Sequence, residues 1–198
     1  MNLNLSENFN YIDIKFGEFK IVRYKVDGFD QLTLNQKKLI YYLSQAALFG
    51  RDIIYDQNSK YNLRIRRVIE KLLYKDMVLQ NPEIWDKLIN YALRIWFSNG
   101  IYYPTSSDKF IPTFSKDWFI EICKAAEVDF DPEILPVMFD PNVLPKKTVQ
   151  NDNVDIIKES AGNYYGDGVT QEEAEKWYKE HEDTSDEPIS LGLNSKLC

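Results

Sequence analysis

Chemistry in this chain has few places to start, and histidine marks the limit. The 198 residues hold one histidine, His181, followed by Glu182. A helical zinc site needs two histidines about one turn apart on one face, with a carboxylate base nearby. His181-Glu182 begins that pattern and does not complete it, so it reads as a surface pair at the fraying end of a helix. Cys123 and Cys198 are not at metal-ligand spacing and make no disulfide framework. Cys123 lies in an apolar helical pattern and reads as a small core hydrophobe without a base to activate it. A single peripheral histidine also leaves no Ser-His-Asp arrangement.

Three further clusters could bear on function. Gly162-Asn163-Tyr164-Tyr165-Gly166-Asp167-Gly168 concentrates glycine but has neither the strand-to-helix context nor the lysine of a phosphate loop, and it reads as a turn region. Arg64, Arg66 and Arg67 form the basic cluster; positions 64 and 67 share a helix face and Glu70 follows, which favours a salt-bridged, solvated face over an anion site. Tyr102-Tyr103-Pro104 lies outside any helical pattern. Tyr102 and Tyr103 are therefore the candidate substrate-binding residues, lining a groove, with a packed loop as the simpler reading. No catalytic residue and no metal ligand is expected.

The elements that would position these groups are mostly helices. Thr33 caps a segment ending before Gly50, with Leu39, Leu43, Ala46 and Ala47 at helical spacing. Asp56-Gln57-Asn58 reads as a turn, and Asn58 or Ser59 as the start of a helix that turns Leu63, Ile65, Ile69, Leu72 and Leu73 inward. Asn81-Pro82-Glu83 combines a cap, a first-turn proline and an acid that suits the helix dipole; this helix stops at Asn99-Gly100. Ser115 opens a fourth helix through Phe119, Ile122 and Ala126. Asp131-Pro132-Glu133 opens a short fifth, ended by Asp140-Pro141, and Thr170 with Glu173 forms a capping box for a last one through Trp177. Tyr41-Tyr42 and Trp96-Phe97 fall within amphipathic helices and read as core. Tyr11 to Val26 is the strand region, with a break in phase near Gly17-Glu18 that suggests a bend or bulge. One strand pair cannot hide its own faces, and partners for it are scarce.

The fold class is thus mainly α with a small β element. The division is a disordered 1–10, a mainly helical 11–181 and a polar tail 182–198. The net charge of −7 is local: Gln171 to Glu187 holds eight acidic residues against two lysines. No basic face suits nucleic acid. No apolar run approaches a membrane span, the first ten residues lack the features of a signal peptide, and a cytoplasmic location is expected.

Several unusual strings in order resemble the N-terminal region of the bacterial dipeptidyl peptidase III family. They are Leu39-Ile40-Tyr41-Tyr42-Leu43-Ser44-Gln45-Ala46-Ala47, Gly50-Arg51-Asp52-Ile53-Ile54-Tyr55-Asp56-Gln57-Asn58 and Tyr61-Asn62-Leu63-Arg64-Ile65-Arg66-Arg67. Trp96-Phe97-Ser98-Asn99-Gly100-Ile101, Asp108-Lys109-Phe110-Ile111-Pro112 and Pro136-Val137-Met138-Phe139-Asp140-Pro141 follow. Asn163-Tyr164-Tyr165, Gly168-Val169-Thr170-Gln171 and Gly192-Leu193-Asn194-Ser195-Lys196-Leu197 complete the series. The likeness runs from about Phe19 to the last residues. It departs where the bacterial relatives tend to carry a histidine-rich run and this chain has Tyr102-Tyr103-Pro104-Thr105.

The resemblance implies a two-lobed zinc aminopeptidase that removes dipeptides from the N-termini of short peptides. In that family zinc is held by an H-E-x-x-G-H type motif and a distant glutamate in a helical lobe, and the other lobe, to which the N-terminal segment mainly belongs, helps bind the peptide. The motif has no counterpart in this sequence. The expected chain is therefore an inactive N-terminal part of such an enzyme, without a cofactor of its own. Its expected partners are short peptides or the C-terminal part of the enzyme. A short non-catalytic paralogue that binds peptides or proteins, or a helical interaction module, stays open beside it.

Overall fold

The computed structural model describes residues 9–75 and 81–181. They are mainly helical with one small antiparallel sheet. The chain divides into two compact units, Met1–Arg51 and Asp52–Cys198. Of the expected disordered start, 1–10, residues 1–8 lie outside the described residues, as does the whole of the polar tail 182–198.

In the first unit β1 (Ile12–Phe16) pairs with β2 (Phe19–Val22). Gly17-Glu18 is not a bulge but the two-residue turn of this hairpin. Gly17 sits at φ 51°, the left-handed conformation that two-residue hairpin turns call for. The irregularity lies earlier, between Ile12 and Ile14, where β1 advances two residues while β2 advances one. The register Ile14↔Ile21 and Phe16↔Phe19 gathers four apolar side chains on one face. Only Phe16 is buried, against the tilted ring of Phe19 at 5.5 Å.

α1 (Leu34–Phe49) follows, opened by a full capping box: Thr33 Oγ1 accepts from the Gln36 amide, and the Gln36 side chain accepts from the Thr33 amide. No α1 residue is buried. Leu39, Leu43, Tyr41 and Tyr42, which helical spacing marks as core, are each more than half exposed. The five consecutive apolar residues 39–43 reach round the whole circumference of the helix, so no single face could have hidden them.

α2 (Arg51–Asn58) begins immediately after Gly50, which keeps a right-handed helical conformation at φ −76° instead of stopping the chain. Asp56-Gln57-Asn58 is consequently the last turn of α2. The next helix, α3 (Asn62–Tyr74), starts four residues later than Asn58. α4 (Pro82–Ser98) has Asn81 as its cap and ends with Asn99 at φ 51°. α5 (Lys116–Ala125), α6 (Ile134–Phe139), α7 (Ile156–Glu159) and α8 (Gln171–Glu180) complete the second unit.

The core of this unit is one cluster. Ile65, Ile69 and Leu72 of α3 join Leu88, Ala92 and Ile95 of α4, Phe119 and Ile122 of α5, and Ile134 and Met138 of α6. Phe114 is its aromatic hub, with Tyr91, Trp118, Phe119 and Phe139 all within 6.0 Å between ring centres. Burying a ring such as Phe119, which has no exposed surface, contributes about 2–3 kcal/mol. Trp96 and Phe97 stay outside this core, 39% and 43% exposed, because Tyr91, Leu88, Ala92 and Ile95 occupy the buried face of α4. No described helix is long and apolar enough to cross a membrane.

Candidate functional site

A polar latch joins the C-terminus of α4 to α2 and α3. Asn62 has no exposed surface; its amide nitrogen donates to Tyr55 O at 3.2 Å and its carbonyl accepts from Ile101 N at 3.2 Å. Asn58 donates to Asn99 O at 2.9 Å. This latch leads the chain into the 101–110 loop with Tyr102 already inside. Tyr102 is buried, and its hydroxyl donates to Leu144 O at 3.0 Å. Burial pushes its ionisation well above the usual tyrosine range. Tyr103 is half-buried, edge-on to Phe110 at 5.3 Å, with Arg94 donating to its hydroxyl at 3.4 Å. The candidate pair thus sits in a packed loop, and of the two only Tyr103 keeps appreciable surface.

Lys109 holds the same loop from the other side. Its ammonium donates to the carbonyls of Val137, Asp140 and Val143, fixing the turn after α6. Burial lowers its pKa, and the neighbouring Asp140 charge opposes that.

The arginine cluster is consumed by ion pairs. Arg64 pairs with Asp131 at 2.7 Å and Glu133 at 3.3 Å. Arg66 is the buried one. It pairs with Glu70 and Asp52, each at 2.7 Å, and lies over the Tyr55 ring at 4.8 Å. Glu70 therefore answers Arg66 at i,i+4, not the 64/67 face, and Arg67 reaches only Asp52 at 3.9 Å. Among the described residues Arg64 and Arg66 are thus committed to close carboxylates, while Arg67 stays mostly exposed.

His181 is the C-terminal cap residue of α8. Its ring stacks on Trp177 at 4.3 Å, and Nδ1 lies 2.8 Å from Trp177 O. Glu182 lies outside the described residues, as does Cys198. Cys123 is buried, and burial pushes its thiol up to about 12, as expected for a core residue rather than a nucleophile. Among the described residues no three His, Cys, Asp or Glu side chains gather as a metal site.

One concave surface of the second unit lies around residues 160–168. Ala161 N and Gly162 N donate to the carbonyls of Lys146 and Lys147, both at 3.0 Å. Asn163 N donates to Gln57 O at 2.8 Å, and its side chain donates to Asp56 at 3.3 Å. These bonds pin the glycine segment to the end of α2. Asp155 then fixes α7 and α8 together: Oδ1 accepts from Ile157 N and Lys158 N, and Oδ2 accepts from Gln171 N. Gln171 returns the bond by accepting from Ile156 N at 3.1 Å. Burial alone would raise the Asp155 carboxyl, but the amides of Lys158, Gln171 and Ile157 outweigh it and hold it below the usual range.

Two clefts flank this segment and share Ile157, Ser160, Gly162 and Tyr165. The first, about 270 Å³, is bordered by Lys60 and Asp167, which pair at 3.5 Å. The second, about 250 Å³, lies between α7 and α8 and is lined mainly by apolar atoms of Ile156, Ile157, Ala174 and three tyrosines. Tyr165 is raised by burial and by Tyr178, whose hydroxyl shares a hydrogen bond with it.

Reading the glycine cluster as a turn region agrees with this geometry. What that reading passes over is α7 and its cap, although Asp155 before Ile156-Ile157 is an ordinary N-cap signal. The contribution of Lys60, about a hundred residues upstream, has no local signal at all. No protein-family model matches this chain, and no curated protein matches it.

Proposed function

We propose that this chain is the N-terminal, peptide-cleft part of a dipeptidyl peptidase III-like zinc metallopeptidase, an enzyme that removes dipeptides from the N-termini of short peptides. By itself the chain does not catalyse, because the zinc-binding motif of that family has no counterpart among its residues. The observation that carries this reading is α1. It is a 16-residue helix with a complete capping box, apolar around its circumference and with no buried residue. A helix of that kind is built to be surrounded by protein, since an isolated helix of this length is marginal in water. The strings that carry the family resemblance, Leu39 to Ala47 and Gly50 to Asn58, are α1 and α2 themselves.

The partner is accordingly the remainder of the same enzyme, which covers α1 and supplies zinc. The purified chain should hold no stoichiometric zinc, release no dipeptide from a chromogenic dipeptide substrate, and bind a hydrophobic dye. Zinc with cleavage would refute the assignment of inactivity. A dye-free monomer would refute the covering role given to α1. A reading frame downstream without a zinc-binding helix would count against the family.

A further inference from the structure

α1 has more apolar surface than one neighbour covers, and that surface falls into two sets. A residue advances about 100° round a helix, so Leu39, Leu43, Ala46 and Ala47 lie together on one side. Leu34, Tyr41 and Leu48, spaced by seven, return to nearly one line on the opposite side. These three are 67%, 59% and 56% exposed. The Tyr41 ring lies edge-on to that of Tyr42 at 5.4 Å, which orders the side chain without burying it. Ser44, beside the line, donates its hydroxyl to Ile40 O at 2.8 Å and so needs no partner from outside.

The line is symmetric about Tyr41. A second copy of the helix, running the other way and crossing at Tyr41, sets each Leu34 on the other copy's Leu48. The same contact is then made twice, as a two-fold interface requires. Charge selects the same direction. α1 has no acid in its first turn and no base in its last, and its charged residues are Lys37 and Lys38, near the end where the helix dipole disfavours cations. Parallel copies would set these lysines side by side. An antiparallel copy brings Lys38 to the other helix's Gln45, whose side-chain carbonyl can accept from it, and toward the C-terminal half, where a cation is favoured. Lys37 already donates to Asp30 O at 3.1 Å within its own unit.

We propose that two copies of this chain associate through antiparallel α1 helices along Leu34, Tyr41 and Leu48. One helix from each copy buries less than the roughly 1,200 Å² in total at which standard interfaces begin, so the dimer is weak and forms as concentration rises. The opposite side of α1, at Leu39 and Leu43, stays open in this dimer to the remainder of the enzyme and to a hydrophobic dye. The inference goes beyond the peptidase assignment and does not rest on it.

Sedimentation equilibrium of the full chain between about 5 and 500 μM tests it. The unaltered chain should pass from monomer towards dimer across that range. Tyr41→Glu buries an unpaired charge at the centre of the contact and should weaken association about tenfold or more, with helix content by circular dichroism unchanged. Leu43→Glu, on the opposite side, should leave association within about twofold of the unaltered chain. Direction is read by a bifunctional thiol reagent spanning about 10 Å, in a Cys198→Ser background; antiparallel copies hold their two 34 positions about 21 Å apart, at 1.5 Å per residue. Tyr41→Cys should therefore join to itself, and Leu34→Cys should join to Leu48→Cys but not to itself. A monomer throughout the range overturns the proposal, as does equal weakening by Tyr41→Glu and Leu43→Glu. Self-joining of Leu34→Cys overturns the antiparallel arrangement. Zinc content and dipeptide release are read separately, so either conclusion can fail without the other.

Discussion

Substituting Gly100 by alanine tests the latch that leads into the 101–110 loop. Gly100 follows the left-handed Asn99 and sits at φ 138°, a region that side-chain-bearing residues rarely occupy. A Cβ there would lie 2.2 Å from Asn62 Nδ2 and 2.6 Å from Asn62 Cγ, far inside contact distance. Holding alanine in that conformation costs about 2 kcal/mol. Moving Asn62 breaks its bonds to Tyr55 O and Ile101 N inside the core, at about 2 kcal/mol more. The sum, about 4 kcal/mol, is a large part of the roughly 5–15 kcal/mol available to a domain. With a urea slope of about 2 kcal/mol/M, the midpoint should fall by about 2 M.

Gly168→Ala is the internal control, because Gly168 has φ 87° and nothing within 4 Å of where a Cβ would lie, so it meets only the backbone cost. In an Asn62→Ala background the obstructing side chain is gone, and Gly100→Ala should then cost no more than the control. Equal losses for Gly100→Ala and Gly168→Ala in the unaltered background would show that Asn62 is not the obstacle and that the latch reasoning is wrong.

Two further outcomes follow from the electrostatics. Asp108 is held low by hydrogen bonds from Lys146 and Ser106, and Asp155 by three backbone amides. For both, the folded pKa lies below the unfolded one, so their stabilisation is complete above about pH 4 and is lost as pH falls through the lower folded values. The thermal midpoint should drop between about pH 4 and pH 2, and Asp155→Asn should flatten that part of the profile; an unchanged slope counts against the capping role. Cys123, buried with its thiol pushed up to about 12, should resist iodoacetamide at about pH 8 in a Cys198→Ser variant until urea unfolds the second unit. Labelling at the rate of a free thiol in the folded protein would place it at the surface instead.

The caps were legible because they are local. Thr33 with Gln36, Asn81 with Pro82, Ser115, and Thr170 with Glu173 each specify a helix start within four residues, and all four occur. The stop at Asn99-Gly100 follows from the same kind of signal. Gly50 shows the limit: a glycine ends a helix when it turns left-handed, but nothing in Phe49-Gly50-Arg51 states that this one stays at φ −76° and lets α2 begin at once. Burial was less legible than helix formation. Arg66 falls among Ile65, Val68 and Ile69 on the buried side of α3, tolerated there because Asp52 and Glu70 meet it, and Asp52 lies fourteen residues away.

The clefts at 160–168 depend on the same kind of distant pairing, and this explains why glycine there borders a concave surface without resembling a phosphate loop. A phosphate loop works through consecutive free amides, and its sequence signature is short because the ligand contacts are short-range. Here the amides of Ala161, Gly162 and Asn163 are already spent on Lys146, Lys147 and Gln57. Gly162 lies close to the Lys147 carbonyl, where a Cβ would approach within 3.3 Å. Glycine at 162 therefore serves close packing of two chain segments, not capture of an anion by the backbone.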